Sequence, residues 1–274
     1  MTKKIFSKII VEGLGILSTL VILIPFYMLI VNSFKNKAEA SELSIKLPNV
    51  WNIIENYSTV IKIGKMFSGF KNSLIITFFS VLLIILVTAF SGFIIQRRKC
   101  KITELIFSII MIGLIVPASM VPVYFVVNFL QLSGTHLGVS LVYTANYFPL
   151  GVFLFVGFYK SISREIDEAA IIDGAKKLTL FAEIIFPLVK PATISVLIIS
   201  FMGIWNDFVV PIFLISSPKK MSVVISMYLF FGEKASDWNL VFATIIVVSL
   251  PVIILYFLLQ KHIVSGMTAG AVKG

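Results

Sequence analysis

A chain of 274 residues that is 58% hydrophobic, with a mean hydropathy of +1.03, is far more apolar than a soluble domain, which excludes an ordinary soluble enzyme. Its net charge of +10 lies in segments between apolar runs, the pattern of loops facing an anionic leaflet, and we read no nucleic-acid function into it. A single cysteine, Cys100, excludes an intrachain disulfide, and two distant histidines, His136 and His262, offer no zinc or other metal constellation.

Lys3, Lys4 and Lys8 precede an apolar run from Gly13 to Val31, long enough for a hydrocarbon core of about 30 Å at about 1.5 Å per residue. Ala38-Glu39-Ala40 has the form of a cleavage site, but Lys35 and Lys37 separate it from an apolar region already too long for a signal peptide. The run is therefore expected to stay as a first helix. Asn32 to Lys71 is polar and reads as a loop outside the bilayer. A second span covers Ser73 to Ile95, and Arg97-Arg98-Lys99-Cys100-Lys101 follows as a compact basic turn of cytoplasmic character. These cations can lower the pKa of Cys100, although an incidental loop cysteine is the simpler reading.

The third span, Leu105 to Leu130, contains Pro117 and Pro122, which are expected to bend or break it, for packing or for motion. A fourth occupies Val139 to Tyr159, a fifth Ala192 to Ile215 and a sixth Val241 to Leu259, with polar residues Lys219, Lys220, Glu233 and Asp237 between the last two. The fold expected is an all-α polytopic membrane protein with six transmembrane helices and both termini cytoplasmic. Fourteen of the 23 basic residues fall on the side of the termini, which agrees with that orientation. The chain then reads as one membrane domain: first helix 10–32, external loop 33–71, five-helix core 72–261 and cytoplasmic tail 262–274.

Between the fourth and fifth spans lies a stretch too polar for a bilayer, from Glu168 to Pro187. Ser163 is placed to cap a short helix, with Glu165, Asp167 and Glu168 near the positive end of its dipole. Gly174 is suited to the left-handed turn that ends it, and a second helix is expected from Ala175 to Phe186, stopped by Pro187 and Pro191. Leu178, Phe181, Ile184 and Ile185 recur at helical spacing and form one apolar face. A short amphipathic helix pair on a membrane protein suits a groove on a partner.

Glu168-Ala169-Ala170, then Gly174, then Ile184-x-Phe186-Pro187 resembles the EAA loop of ABC importer permeases, with phenylalanine in place of the usual leucine before the proline. The resemblance implies a cytoplasmic coupling loop that docks into a nucleotide-binding subunit. Glu168, Ala169, Ala170, Asp173, Gly174, Ala175, Phe181, Ile184, Phe186 and Pro187 would carry that coupling. By the same resemblance Glu168 contacts the ATPase groove, Gly174 sets the angle between the helices, and Phe181, Ile184 and Phe186 fill the groove.

Leu47-Pro48, Glu55-Asn56-Tyr57 and Asn72-Ser73-Leu74 resemble the segment joining the first two helices of carbohydrate-importer permeases. Within the spans, Asp207 in Trp205-Asn206-Asp207-Phe208 is the exceptional ionisable group. A carboxylate in hydrocarbon needs a partner or water, so Asp207 either marks a pathway, with Trp205 and Asn206 offering a ring face and an amide to a sugar, or serves structure. This run resembles the fifth-helix segment of carbohydrate-importer permeases. The last ten residues, including Thr268, Ala269 and Gly270, form a short flexible end that resembles the tail of the smaller maltose/maltodextrin-type permease subunit, which reaches an ATPase interface.

The chain lacks G-x-x-x-x-G-K-[ST], so Mg-ATP would reside on a partner, and with two distant histidines and one cysteine offering no acid–base or metal cluster, no catalytic or cofactor site is expected on it. The resemblance implies a permease subunit of an ATP-driven importer for a sugar or oligosaccharide in the cell membrane. Its implied partners are a second permease subunit, an ATP-binding subunit dimer, an extracytoplasmic solute-binding protein and membrane lipid. A permease for a polyamine or another small polar solute shares the Glu168 motif. An ion-coupled secondary transporter would require paired midplane charges and inverted repeats, which the sequence does not display.

Overall fold

The structure, a computed structural model, describes residues 2–116, 119–228, 230 and 237–271, and no strand occurs among them. The helices are α1 (Thr2–Ser33), α2 (Lys37–Ser41), α3 (Ile53–Ile63), α4 (Met66–Arg97), α5 (Lys101–Ile115), α6 (Met120–Phe129) and α7 (His136–Lys160). They continue with α8 (Arg164–Ile172), α9 (Lys177–Leu188), α10 (Lys190–Asn206), α11 (Val209–Leu214), α12 (Val223–Tyr228) and α13 (Trp238–Ala271). Four are long and apolar enough to cross a membrane: Ile10–Ser33 within α1, α4, α7 and Trp238–Gln260 within α13. Within the fifth expected span, α10 is bent by 75° against α9, and the pair passes the same length and hydropathy criterion when taken as one broken span.

The third expected span is divided into α5 and α6, neither of which is long enough to span alone. Pro117 lies outside the described residues, as does Glu233. Pro122 sits in the first turn of α6, where an absent N–H leaves no helical bond unmade.

The chain forms two compact units, Met1–Phe67 with Ile225–Leu250, and Ser68–Val224 with Pro251–Gly274. In the first, the Asn56 of Glu55-Asn56-Tyr57 is a buried staple. Its Nδ2 donates to the carbonyls of Ser33 and Lys35, both at 2.8 Å, and its Oδ1 accepts from Asn239 at 2.8 Å. Lys35 is buried as well. Its Nζ donates to Asn32 Oδ1 (2.9 Å) and to the carbonyl and hydroxyl of Ser44 (2.8 and 3.0 Å), so its three protons are satisfied without a carboxylate. The Lys37–Asp237 pair is largely exposed and adds little.

In the second unit Asn72 and Ser73 do a similar task. Asn72 Nδ2 donates to the carbonyls of Lys219 (2.9 Å) and Met221 (3.0 Å), and Ser73 Oγ accepts the Val223 N–H at 2.9 Å, which ties the start of α4 to the segment before α12. Farther along, α4 and α7 approach closely at glycines. A Cβ on Gly151 would fall 2.7–2.8 Å from Thr88, and one on Gly92 would fall 2.9 Å from the Cβ of Phe155. Small residues permit such backbone proximity where water supplies no force between helices. Gly151→Ala is therefore expected to destabilise the protein by about 1–3 kcal/mol, read as earlier loss of the monodisperse peak on heating in detergent.

Candidate functional site

The Glu168 stretch forms a helical hairpin. Ser163 Oγ accepts the Glu165 N–H at 3.3 Å, which caps α8, and Glu165 and Asp167 occupy its first turn. At the other end Gly174 adopts φ +84°, and the Ala175 and Gly174 N–H groups donate to the carbonyls of Ala170 (2.9 Å) and Ile171 (3.0 Å). This pair of bonds is the Schellman arrangement, in which a left-handed residue lets the last carbonyls of a helix find donors. The second helix begins at Lys177, and its turns widen to the π form over Leu180–Ile185. Pro187 does not stop it: the helix continues to Leu188, and the direction changes at Val189, with Pro191 opening α10.

The hairpin's inner side belongs to the chain's own core. Ala170, Leu180 and Ile185 are buried there, with Ala175, Phe181, Ile184 and Phe186 packed against them. The ring of Phe181 meets Phe90 (5.2 Å) and Phe93 (5.3 Å) of α4 and Phe186 (5.8 Å) of its own helix. The resemblance would have Phe181, Ile184 and Phe186 fill a partner's groove; here Phe181 turns toward α4, while Ile184 and Phe186 are half-buried against the chain's own core. The outer side exposes Glu168, Ala169, Asp173 and Pro187 around three large apolar groups, Ile171 (59% exposed), Ile172 (84%) and Leu178 (70%). Of these, the periodicity singled out Leu178 alone. Ile171 and Ile172 both stand in the last turn of α8, just before the turn at Gly174.

Two arginines fix the hairpin to the end of α4. Arg97 presents Nε to Asp167 Oδ2 at 2.7 Å, donates through one terminal nitrogen to Asp167 Oδ1 at 3.1 Å, and through the other to the Ile162 carbonyl at 3.2 Å. Arg164 reaches the opposite way, to the carbonyls of Gln96 (3.5 Å) and Arg97 (3.3 Å). The sequence presents Arg97 as one of a run of cations that mark topology, so nothing in it distinguishes this anchoring residue from its neighbours.

The adjacent basic turn is held by Thr103, whose hydroxyl donates to the Arg98 carbonyl at 2.5 Å and accepts the Cys100 N–H at 3.2 Å. Cys100 is exposed, and hydrogen bonds from the Thr103 backbone and side chain to its sulfur lower its pKa, with Arg98 adding a smaller contribution. Because lowering favours the thiolate, maleimide labelling should stay fast until the pH falls through the depressed pKa. Thr103→Val should move that fall to higher pH and slow labelling at neutral pH several-fold. With one cysteine in the chain, the label reports this site alone.

Residues 90–269 match the family described as binding-protein-dependent transport system inner membrane component. This chain belongs to that family. The permease is 34% identical over 274 residues, 100% of both chains, to the probable starch degradation products transport system permease protein AmyC of Thermoanaerobacterium thermosulfurigenes. It is 38% identical over 254 residues to the melibiose/raffinose/stachyose import permease protein MelC of Bacillus subtilis, covering 92% of this chain and 91% of that one. Its fold matches a chain of a bacterial ABC transporter involved in import of the acidic polysaccharide alginate, with a TM-score of 0.82 at 21% identity, over 95% of this chain and 97% of the other.

The permease's second polar cluster lies where α10 ends. Asp207 Oδ1 accepts the Val209 N–H at 2.8 Å, while Oδ2 accepts the Val210 N–H at 3.2 Å and the Tyr143 hydroxyl at 2.9 Å. The carboxylate thus caps α11 and ties α7 to the break in the fifth segment. Trp205 is buried in a stack with Phe201 (5.8 Å, 5°) and against Phe70 (6.0 Å), so its ring faces are occupied by protein. Asn206 is exposed and donates to the Met202 carbonyl at 2.8 Å. Tyr143, an ordinary aromatic in an apolar run, gave no sequence signal of this role. Thr268, Ala269 and Gly270 lie near the end of α13, whose backbone stays helical through Ala271, while residues 272–274 lie outside the described residues.

Proposed function

We propose that this permease forms half of the translocation pathway of an ATP-driven importer for a sugar or oligosaccharide, with ATP hydrolysis on a separate subunit. The observation that carries the reading is the hairpin of α8 and α9, which exposes Ile171, Ile172 and Leu178 beside Glu168 while its inner side is anchored to the membrane helices. A short amphipathic element of this kind buries its apolar face in a groove on a partner, here the ATP-binding subunit. Glu168, Ala169, Asp173 and Pro187 then lie at the dock. Gly174 sets the hairpin angle, and Ala170, Ala175, Phe181, Ile184 and Phe186 support it from behind.

The reading extends to six spans with both termini cytoplasmic, counting α5 with α6 and α10 with α11 as broken spans. Other partners are a second permease subunit, an ATP-binding dimer and an extracytoplasmic solute-binding protein. Mg-ATP binds the partner, and closure of its dimer moves the hairpin because nucleotide interacts differently with the inward- and outward-open states. Asn206 and the Trp205–Asp207 break border the path, and the end of α13 with Thr268, Ala269 and Gly270 approaches the ATPase. The sugar class is drawn from the relatives' names, several of which refer to oligosaccharides.

The test is a gentle-detergent pull-down of the tagged chain from its own membranes, with mass spectrometry of the proteins recovered. A second permease, a P-loop ATPase and a solute-binding protein that retains a saccharide are expected. A binding protein that holds a polyamine would replace the sugar assignment, and recovery without an ATPase would sink the importer reading.

A further inference from the structure

We propose that one face of α4, formed by Phe90, Phe93 and Arg97, receives the movement of the α8–α9 hairpin, with the Arg97–Asp167 ion pair as the joint. This rests on the importer reading above and adds the route by which force enters the membrane. Phe90, Phe93 and Arg97 stand at positions i, i+3 and i+7, so they share one side of the last turns of α4. Phe181 of α9 meets both rings, and Asp167 of α8 meets the guanidinium, so both limbs of the hairpin grip the same stripe.

The grip is reciprocal. Arg97 reaches into the hairpin's first limb and the turn before it, while Arg164 reaches back to the carbonyls of Gln96 and Arg97, which the end of a helix leaves without intrahelical donors. Arg97 and Asp167 are 70 residues apart in the chain, so the joint bypasses α5, α6 and α7. Their side chains are only 12% and 14% exposed, which limits screening, and the pair meets at two points, a hydrogen bond to Oδ1 at 3.1 Å and an ion contact from Nε to Oδ2 at 2.7 Å. A hairpin displaced by its partner must therefore carry the end of α4 with it or break a largely desolvated ion pair.

The test uses the reconstituted wild-type complex and variants of Asp167 and Arg97, with solute imported per ATP hydrolysed as the readout beside co-purification of the ATPase. Asp167→Asn keeps the shape and removes the charge. It should retain the ATPase yet lower the coupling ratio about tenfold or more. Asp167→Glu should recover most of the ratio, and Arg97→Lys, which keeps the charge but cannot reach Asp167 and the Ile162 carbonyl with a planar guanidinium, should fall between.

A wild-type ratio in Asp167→Asn would overturn the proposal. So would equal losses in Asp167→Asn and Asp167→Glu, which would make the position one of packing, or loss of the ATPase from Asp167→Asn, which would make the pair part of the dock. Absence of ATP-driven uptake in the wild-type complex would instead overturn the importer reading, and the joint with it.

Discussion

Gly174→Val is expected to reduce ATP-driven uptake about a hundredfold while the protein still inserts and purifies. Gly174 holds φ +84°, and a Cβ built there meets nothing within 4 Å, so the penalty is backbone strain rather than collision. Left-handed geometry costs a residue other than glycine about 1–3 kcal/mol, and β-branching places valine at the upper end. The Schellman bonds from Gly174 and Ala175 would be lost as the turn relaxed, and Ile171, Ile172 and Leu178 would no longer share one exposed surface. Gly174→Asn tests the cause directly, because asparagine tolerates the left-handed region. It should keep most of the uptake. Equal failure of asparagine and valine would point to a glycine-only contact at the dock and dismiss the strain account.

Asp207→Ala is expected to destabilise the permease by about 3 kcal/mol or more, because each donor left buried and unpaired costs about 1–3 kcal/mol. The substitution strands the Tyr143 hydroxyl and leaves two N–H groups of α11 without their cap. Tyr143→Phe removes only one bond and should cost about 1 kcal/mol, read as a smaller drop in the temperature at which detergent-solubilised protein aggregates. Asp207→Asn keeps a side-chain acceptor and separates structure from transport. If the carboxylate borders the path, substrate affinity changes at near-normal stability; unchanged uptake assigns Asp207 to capping alone.

Particular residues show where reading the chain stops. The left-handed turn at Gly174 and the cap at Ser163 were legible because each follows from backbone preferences a few residues long. The spans in α1, α4, α7 and α13 were legible because hydrocarbon demands long apolar helices. Pro191 was assigned a stop and instead opens α10, and the helix runs past Pro187 to Leu188, because the first turn of a helix needs no N–H from its proline.

The sequence by itself determined the class of protein, the main apolar helices and the local form of the hairpin, since these depend on neighbouring residues and on the solvent they meet. Only the tertiary structure decided which way the hairpin faces. It turned Phe181 toward Phe90 and Phe93, left Ile171 and Ile172 outside, and paired Arg97 with Asp167 and Tyr143 with Asp207. Those outcomes join residues 64 to 91 positions apart, and periodicity along one helix carries no information about the element that will come to lie against it.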